Sequence, residues 1–307
     1  MGKIKQIVTS KWSRYFLTVI LVYFVFSKVD VGKVGMEISK VPLWFVVAIM
    51  FWFLIGSVVW AIRWCLIVLK EPKIIDFYNF VKINFQASFY GVLIPSIVGG
   101  DVLKWAIASK KYPKLTKTEL AASVIIDRIV GLSAFSLCAF LAALIGKLYG
   151  FIYPDIIFWL FLSMFLVFLF FYLTVFRIDY DKVFGRFKIL HKTLEMVAIF
   201  KKGNKKRILI CFIISMFAEP VWVLPFWFYS LIFKANLSLI SILVIIPIIN
   251  LILVLPISIS GFGARELLFL YFFRQTGALD EKILAVSVFS GIIGYLGLIW
   301  ALLFVLI

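Results

Sequence analysis

Two arginines, Arg128 and Arg265, lie in apolar stretches beside acids: Asp127-Arg128 in SVIIDRIVGL (123–132) and Arg265-Glu266 in LPISISGFGARE (255–266). Glu219 sits in a third apolar run. A charge at membrane depth costs about 2.5–3.5 kcal/mol on insertion scales, so such groups face a cavity or a partner. A guanidinium suits phosphate, because its planar fork donates two parallel hydrogen bonds and keeps its charge at any pH. The two arginines are therefore expected to bind an anionic group. A structural alternative stands beside this: Asp127 holds Arg128 or Arg265, and the bridge merely joins helices. Asp127, Glu219 and Glu266 are also candidate proton carriers.

Other chemistries lack their residues. There is no Walker lysine motif, no H-E-x-x-H, no G-x-S-x-G and no Cys–His pair, and the acids are scattered singly. No enzymatic activity, cofactor or metal is expected. Cys65, Cys138 and Cys211 fall in apolar runs without ligand spacing and read as packing residues. His191, the one histidine, reads as solvated in a charged loop. Without a nucleotide motif, transport would run downhill or couple to an ion gradient.

The elements that must position these charges are two broken hydrophobic segments. Gly91 to Trp105, GVLIPSIVGGDVLKW, interrupts an apolar run with Pro95 and Gly99–Gly100, followed by Asp101 and Lys104. Val254 to Glu266, VLPISISGFGARE, repeats the order with Pro256, serines, Gly261 and Gly263. Flanks match as well: ELAASV (119–124) follows the first and ILAVSV (283–288) the second, with Ser123 and Ser287 in register. Polar residues precede both, Asn84, Gln86 and Ser88 in one case and Asn250 in the other. Broken backbone at membrane depth is tolerated only where protein buries it or a polar cavity receives it. Backbone N–H groups after Gly99–Gly100 and Gly261–Gly263 could add to anion binding, as helix N-termini do. Arg128 and Arg265, each following a break, are expected to meet in one cavity near the bilayer midplane.

Composition fixes the class. The sequence is 64% hydrophobic, and apolar runs long enough to cross a bilayer recur along it. We read an all-α polytopic membrane protein forming a single domain over 1–307, with about six full spans and two re-entrant broken hairpins. The net charge of +17 is explained by topology and by anionic lipid headgroups at the cytoplasmic face, and nucleic acid is not an expected partner.

In chain order, residues 1–14 are basic and precede an apolar run at 15–27 that lacks an A-x-A cleavage pattern, which reads as a retained signal-anchor helix. A span over 42–69 follows, with Arg63 near its end expected to snorkel to the interface. Segment 74–98 is long enough to cross, but crossing would put the five lysines of 101–118 outside. A hairpin entering from the cytoplasm keeps them inside. Further spans are expected at 119–146, 156–176, 208–233 and 283–305, with the second broken segment at 239–275. The loop 177–207 reads as an amphipathic cytoplasmic helix. On this layout the inner segments hold nineteen basic and four acidic residues, and the outer loops six and five. Span, span, hairpin, span then occurs twice with opposite orientation, as repeats of about 15–146 and 156–307. Such inverted repeats recur in proteins that alternate access between two faces.

The motifs LIPSIVGGDVLKWAIASKK (93–111), AASVIIDRIVGL (121–132) and LPISISGFGARE (255–266), in that order, resemble the flippase-like family that includes the transmembrane region of lysylphosphatidylglycerol synthases. The resemblance implies a membrane domain that moves lipids between leaflets. It also implies shared functional positions at Gly99, Gly100, Asp101, Arg128, Gly261, Gly263, Arg265 and Glu266. Lys104 stands where the family often has arginine, which weakens a bidentate contact. The synthases' soluble aminoacyl-transferase domain has no counterpart here, so lipid aminoacylation by these residues alone is not expected.

The function expected is transport of a phosphate-bearing lipid, a phospholipid or a polyprenyl-phosphate-linked one, across the cell membrane, with both termini cytoplasmic. The alternatives are a membrane module of a glycosyltransferase or lipid-modifying enzyme, and a non-transporting scaffold. Beyond lipid, the expected partners are a soluble protein at 177–207 or a second copy of the chain.

Overall fold

The computed structural model describes residues 30–91, 99–175, 205–255, 258 and 261–306, with scattered positions between 19 and 27. Every regular element among them is a helix. In chain order these are α1 (Val31–Ser39), α2 (Leu43–Val68), α3 (Ile74–Gly91), α4 (Gly99–Lys111), α5 (Lys117–Leu148) and α6 (Asp155–Val175). Then come α7 (Lys205–Ile232), α8 (Leu239–Leu253), α9 (Ala264–Phe273), a 3-10 turn (Arg274–Thr276), α10 (Asp280–Leu296) and α11 (Leu298–Leu306).

Local sequence explains the helix starts. Asp30 accepts a hydrogen bond from the Lys33 amide at α1. Thr116 and Glu119 cap α5 reciprocally: Thr116 Oγ1 accepts from the Glu119 amide at 3.1 Å, and Glu119 Oε2 accepts from the Thr116 amide at 2.8 Å. Ser238 caps α8 by accepting from the Ser241 amide. At the other end of a helix, the Arg207 guanidinium donates to the Leu66 and Leu69 carbonyls at the C-terminus of α2, where a cation is favourable.

Among the described residues, five stretches are long and apolar enough to cross a membrane: Leu43–Val68, Lys117–Leu148, Asp155–Leu173, Lys206–Ile232 and Asp280–Leu306. They coincide with five of the six spans read from the sequence. The sixth, at 15–27, falls mostly outside the described residues, as do 92–98 and 177–204 with His191. The most apolar window of Asp155–Leu173 is only 11% buried by protein, leaving Trp159, Val167 and Phe170 for lipid to cover.

The chain divides into two compact units. The first comprises Met1–Phe51, Ile145–Ile152 and Val223–Leu296; the second comprises Trp52–Leu144, Tyr153–Trp222 and Gly297–Ile307.

Within the second unit α3 and α4 pack against each other as a hairpin. A Cβ added at Gly91 would lie 3.3 Å from the Gly100 Cα, so the helices nearly touch at the break. At the open end the Tyr112 hydroxyl bonds Asp76 at 3.0 Å. Trp64, Cys65, Phe80, Ile83, Ala108 and Leu120 fix this hairpin against α2 and α5. A second cluster of Ile67, Ile126, Val130 and Cys211 ties α2, α5 and α7. All three cysteines are free, with Cys65 and Cys211 buried as the sequence suggested.

Within the first unit α8 and α9 form the other hairpin, α9 packs on α10, and α10 packs on α1. Phe289 of α10 is the aromatic hub, with ring centroids 5.2 Å from Tyr229, 5.4 Å from Phe233 and 6.2 Å from Phe45.

Candidate functional site

In each hairpin the second helix carries an acid at its third residue, Asp101 in α4 and Glu266 in α9. Each acid holds one of the two arginines. Arg128 belongs to the second unit and Arg265 to the first.

Arg128 projects from α5 and donates through Nε to Asp101 Oδ2 at 2.7 Å. The carboxylate is 14% exposed while the arginine side chain is 57% exposed. The acid thus orients the guanidinium at the mouth of the break and leaves much of it accessible. Lys104, one turn along α4, rests its ammonium 5.8 Å from the centroid of the Trp64 ring. That ring is itself fixed by Trp64 Nε1 donating to Ser123 Oγ at 3.1 Å. Ser123, one of the two repeated serines, holds up the floor under Lys104.

Asp127 holds Arg63 and not the neighbouring Arg128. It accepts from Arg63 Nε at 2.7 Å, and Arg63 Nη1 donates to Ser215 Oγ at 2.9 Å. Consecutive helical residues point to different faces, so Asp127 turns toward α2 and α7 while Arg128 turns toward α4. Arg63 also departs from its expected interfacial position: it is 5% exposed and Asp127 is 9% exposed. Gly131 makes the room, since a Cβ there would approach Arg63 Nη1 to 3.2 Å. Glu219 on α7 is half-buried within electrostatic reach of Arg63. The sequence signal for Arg63 was its place in an apolar run, but nothing in the sequence identified Asp127 and Ser215 as its partners.

In the first unit Glu266 is 2% exposed and fully engaged. Its Oε2 accepts from the Gly263 amide at 2.7 Å, and its Oε1 accepts from Ser287 Oγ at 3.1 Å. Arg265 Nη2 and Nε reach the same Oε1 at 3.1 and 3.2 Å. Gly261 and Gly263 have φ of +79° and +76°, which a β-carbon would strain. The Gly263 amide, a candidate anion donor from the sequence, is taken by the protein's own carboxylate. The Arg265 guanidinium lies 5.8 Å from the Phe262 ring centroid, and Phe262 stacks on Tyr295 at 5.9 Å. Gly291 leaves the slot, because a Cβ there would come within 2.8 Å of Arg265 Cζ.

Ser287, Gly291 and Phe262 were not among the candidates. The matching flanks mark Ser287 as the counterpart of Ser123; Ser287 bonds Glu266 directly, whereas Ser123 bonds the Trp64 ring on which Lys104 rests.

Helices long and apolar enough to cross a bilayer, with two hairpins whose acids each hold an arginine, define a multi-pass membrane protein with polar groups at its helix breaks. Residues 11–301 match the family described as Lysylphosphatidylglycerol synthase TM region, and the chain belongs to that family. No curated protein and no solved structure matches it.

Proposed function

We propose that this protein moves a phosphate-bearing lipid between the leaflets of the cell membrane. The reading is carried by Arg128, an arginine oriented by a largely buried acid at a helix break yet left 57% exposed. The Arg63–Asp127 pair, by contrast, buries both partners. In the proposed cycle Arg128 takes the phosphate, with Lys104 and the helix start at Gly99 and Gly100 adding positive potential. Arg265 is the equivalent group of the second hairpin, steadied by Glu266 beside Gly261 and Gly263. Glu219, half-buried and near Arg63, is the candidate for proton coupling.

Two features support an inverted repeat: the acid at the third residue of each second limb, and the serine of each following span, which bonds Glu266 in one repeat and the Trp64 ring beneath Lys104 in the other. The excess of lysine and arginine in the segments read as inner supports cytoplasmic termini. The family's description, a transmembrane region of a lipid synthase, favours a lipid over other anions. It also motivates a second reading, a membrane module that presents lipid to a separate enzyme.

Purified protein in liposomes with a fluorescent anionic phospholipid in both leaflets tests the proposal. An impermeant quencher should reach nearly all of the label in protein-containing vesicles and only the outer half in protein-free ones. Identical protected fractions in the two would overturn transport and leave the presenting module or the scaffold.

A further inference from the structure

A second polar site lies in the first unit, with neither Arg265 nor any of its contact residues in its lining. A cavity of about 330 Å³ is lined by Lys40, Lys234 and Lys282, with Glu37 as its acid. Val41, Ile232 and Phe233 supply its apolar wall. The three lysines come from three separate segments: the end of α1, the turn after α7 and the first turn of α10. Lys40 Nζ bonds Glu37 at 2.7 Å and holds that carboxyl below its ordinary value, and the lining sets three lysines against this one acid.

The turn from 233 to 238 is built to present this charge. Phe233, Ala235 and Leu237 are buried while Lys234 and Asn236 alternate outward. Those two outward residues have φ of +50° and +54°, uncommon for side chains with a β-carbon and least expected for lysine. Buried bonds hold them there: the Ala235 amide to the Ser230 carbonyl at 2.8 Å, and the Leu237 amide to Ser230 Oγ at 2.9 Å. Lys282 Nζ donates to the Lys234 carbonyl at 3.0 Å, closing the turn onto α10.

The level of the cavity follows from the spans around it. One span starts at Leu43, another ends at Ile232 and a third starts at Asp280, so all three leave the apolar layer beside this lining. Leu43, Trp44 and Leu231 are exposed next to it, as expected for side chains at the lipid boundary. A lysine-rich cavity with an apolar wall at that depth matches a lipid headgroup with its first chain carbons.

We infer that the cavity lined by Lys40, Lys234 and Lys282 binds the phosphate of an anionic lipid headgroup at the membrane surface, through a lining that includes neither Arg128 nor Arg265. On the proposed topology it opens on the outer face, where basic residues are otherwise sparse.

The test titrates detergent-purified protein carrying Arg128→Ala, which removes the arginine of the proposed transport site, with short-chain phosphatidylglycerol or with inorganic phosphate. Native mass spectrometry counts bound lipid, and calorimetry gives the affinity. Saturable lipid binding should weaken by about tenfold or more with Lys234→Gln and with Lys282→Gln, and stay unchanged with Lys33→Gln. Lys282→Arg, which keeps the charge and the turn contact, should retain binding. That guards against loss through misfolding, which melting temperatures report separately. Equal, lysine-dependent binding of inorganic phosphate would support the same chemistry with a free anion as the ligand. Absence of saturable binding of either probe, or binding indifferent to the lysines, would overturn the inference. Because transport is not the readout, this result is independent of the leaflet-exchange result.

Discussion

Asp127→Ala should destabilise the protein strongly, and the loss should trace to Arg63 rather than to Arg128. Both members of the Arg63–Asp127 pair are under a tenth exposed, and they meet at 2.7 Å. At an effective dielectric of about 20, two unit charges at that separation attract by about 6 kcal/mol before desolvation is counted. Removing one member strands the other, which typically costs about 3–5 kcal/mol. Ser215 bonds Arg63 Nη1 but carries no charge to replace the carboxylate. At roughly 2–4 °C per kcal/mol, the apparent melting temperature should fall by roughly 6–20 °C. Fluorescence-detected gel filtration after graded heating measures this in detergent. Arg63→Ala should cost a similar amount, and the double variant should lose less than the sum by about 2–3 kcal/mol. Asp127→Ala and Arg128→Ala should instead add independently. A coupling below about 0.5 kcal/mol between positions 63 and 127 would refute the reasoning, as would strong coupling between 127 and 128.

Asp101→Ala should cost little stability, about 1 kcal/mol or less, because its partner Arg128 is largely exposed and screened; melting curves check this, while leaflet exchange should fall as the guanidinium loses its aim. Gly291→Ala should push Arg265 out of its slot at a cost of about 1–3 kcal/mol, read by thermal melting, and should reduce exchange more than the same substitution at Gly294, which meets nothing within 4 Å. Glu266→Gln weakens three contacts at once, to Gly263, Ser287 and Arg265, and should lower the melting temperature more than Asp101→Ala does. A cysteine placed at Tyr112, in a background without the native three, should resist an impermeant thiol reagent in intact cells; modification there would contradict a hairpin entering from the cytoplasm.

What the sequence made legible was whatever hydropathy and local chemistry control. The span read at 42–69 is α2 at Leu43–Val68, because a long apolar run has one low-cost conformation in lipid. Gly99–Gly100 and Gly261–Gly263 marked the starts of the second limbs; at Gly261 and Gly263 the positive φ values explain the glycines, and at the first break the close approach to Gly100 requires one at Gly91. The repeated serines at 123 and 287 were visible as a register. The Arg63–Asp127–Ser215 cluster was not, because its members lie 64 and 152 residues from Arg63 and hydropathy does not say which faces of three helices meet. Nor could spacing reveal that Glu266 would cap its own helix and take the Gly263 amide. That outcome depends on a single rotamer reaching back three residues.

In the proposed transport cycle the Arg128 guanidinium, aimed by Asp101, engages a lipid phosphate during transfer between leaflets. Arg128→Lys tests it most directly, because it keeps the charge and removes the fork. In the leaflet-exchange assay with matched protein per vesicle, the rate should fall by about tenfold for Arg128→Lys and to near the protein-free level for Arg128→Ala, with melting temperatures close to wild type. Exchange by Arg128→Ala at the wild-type rate would contradict it.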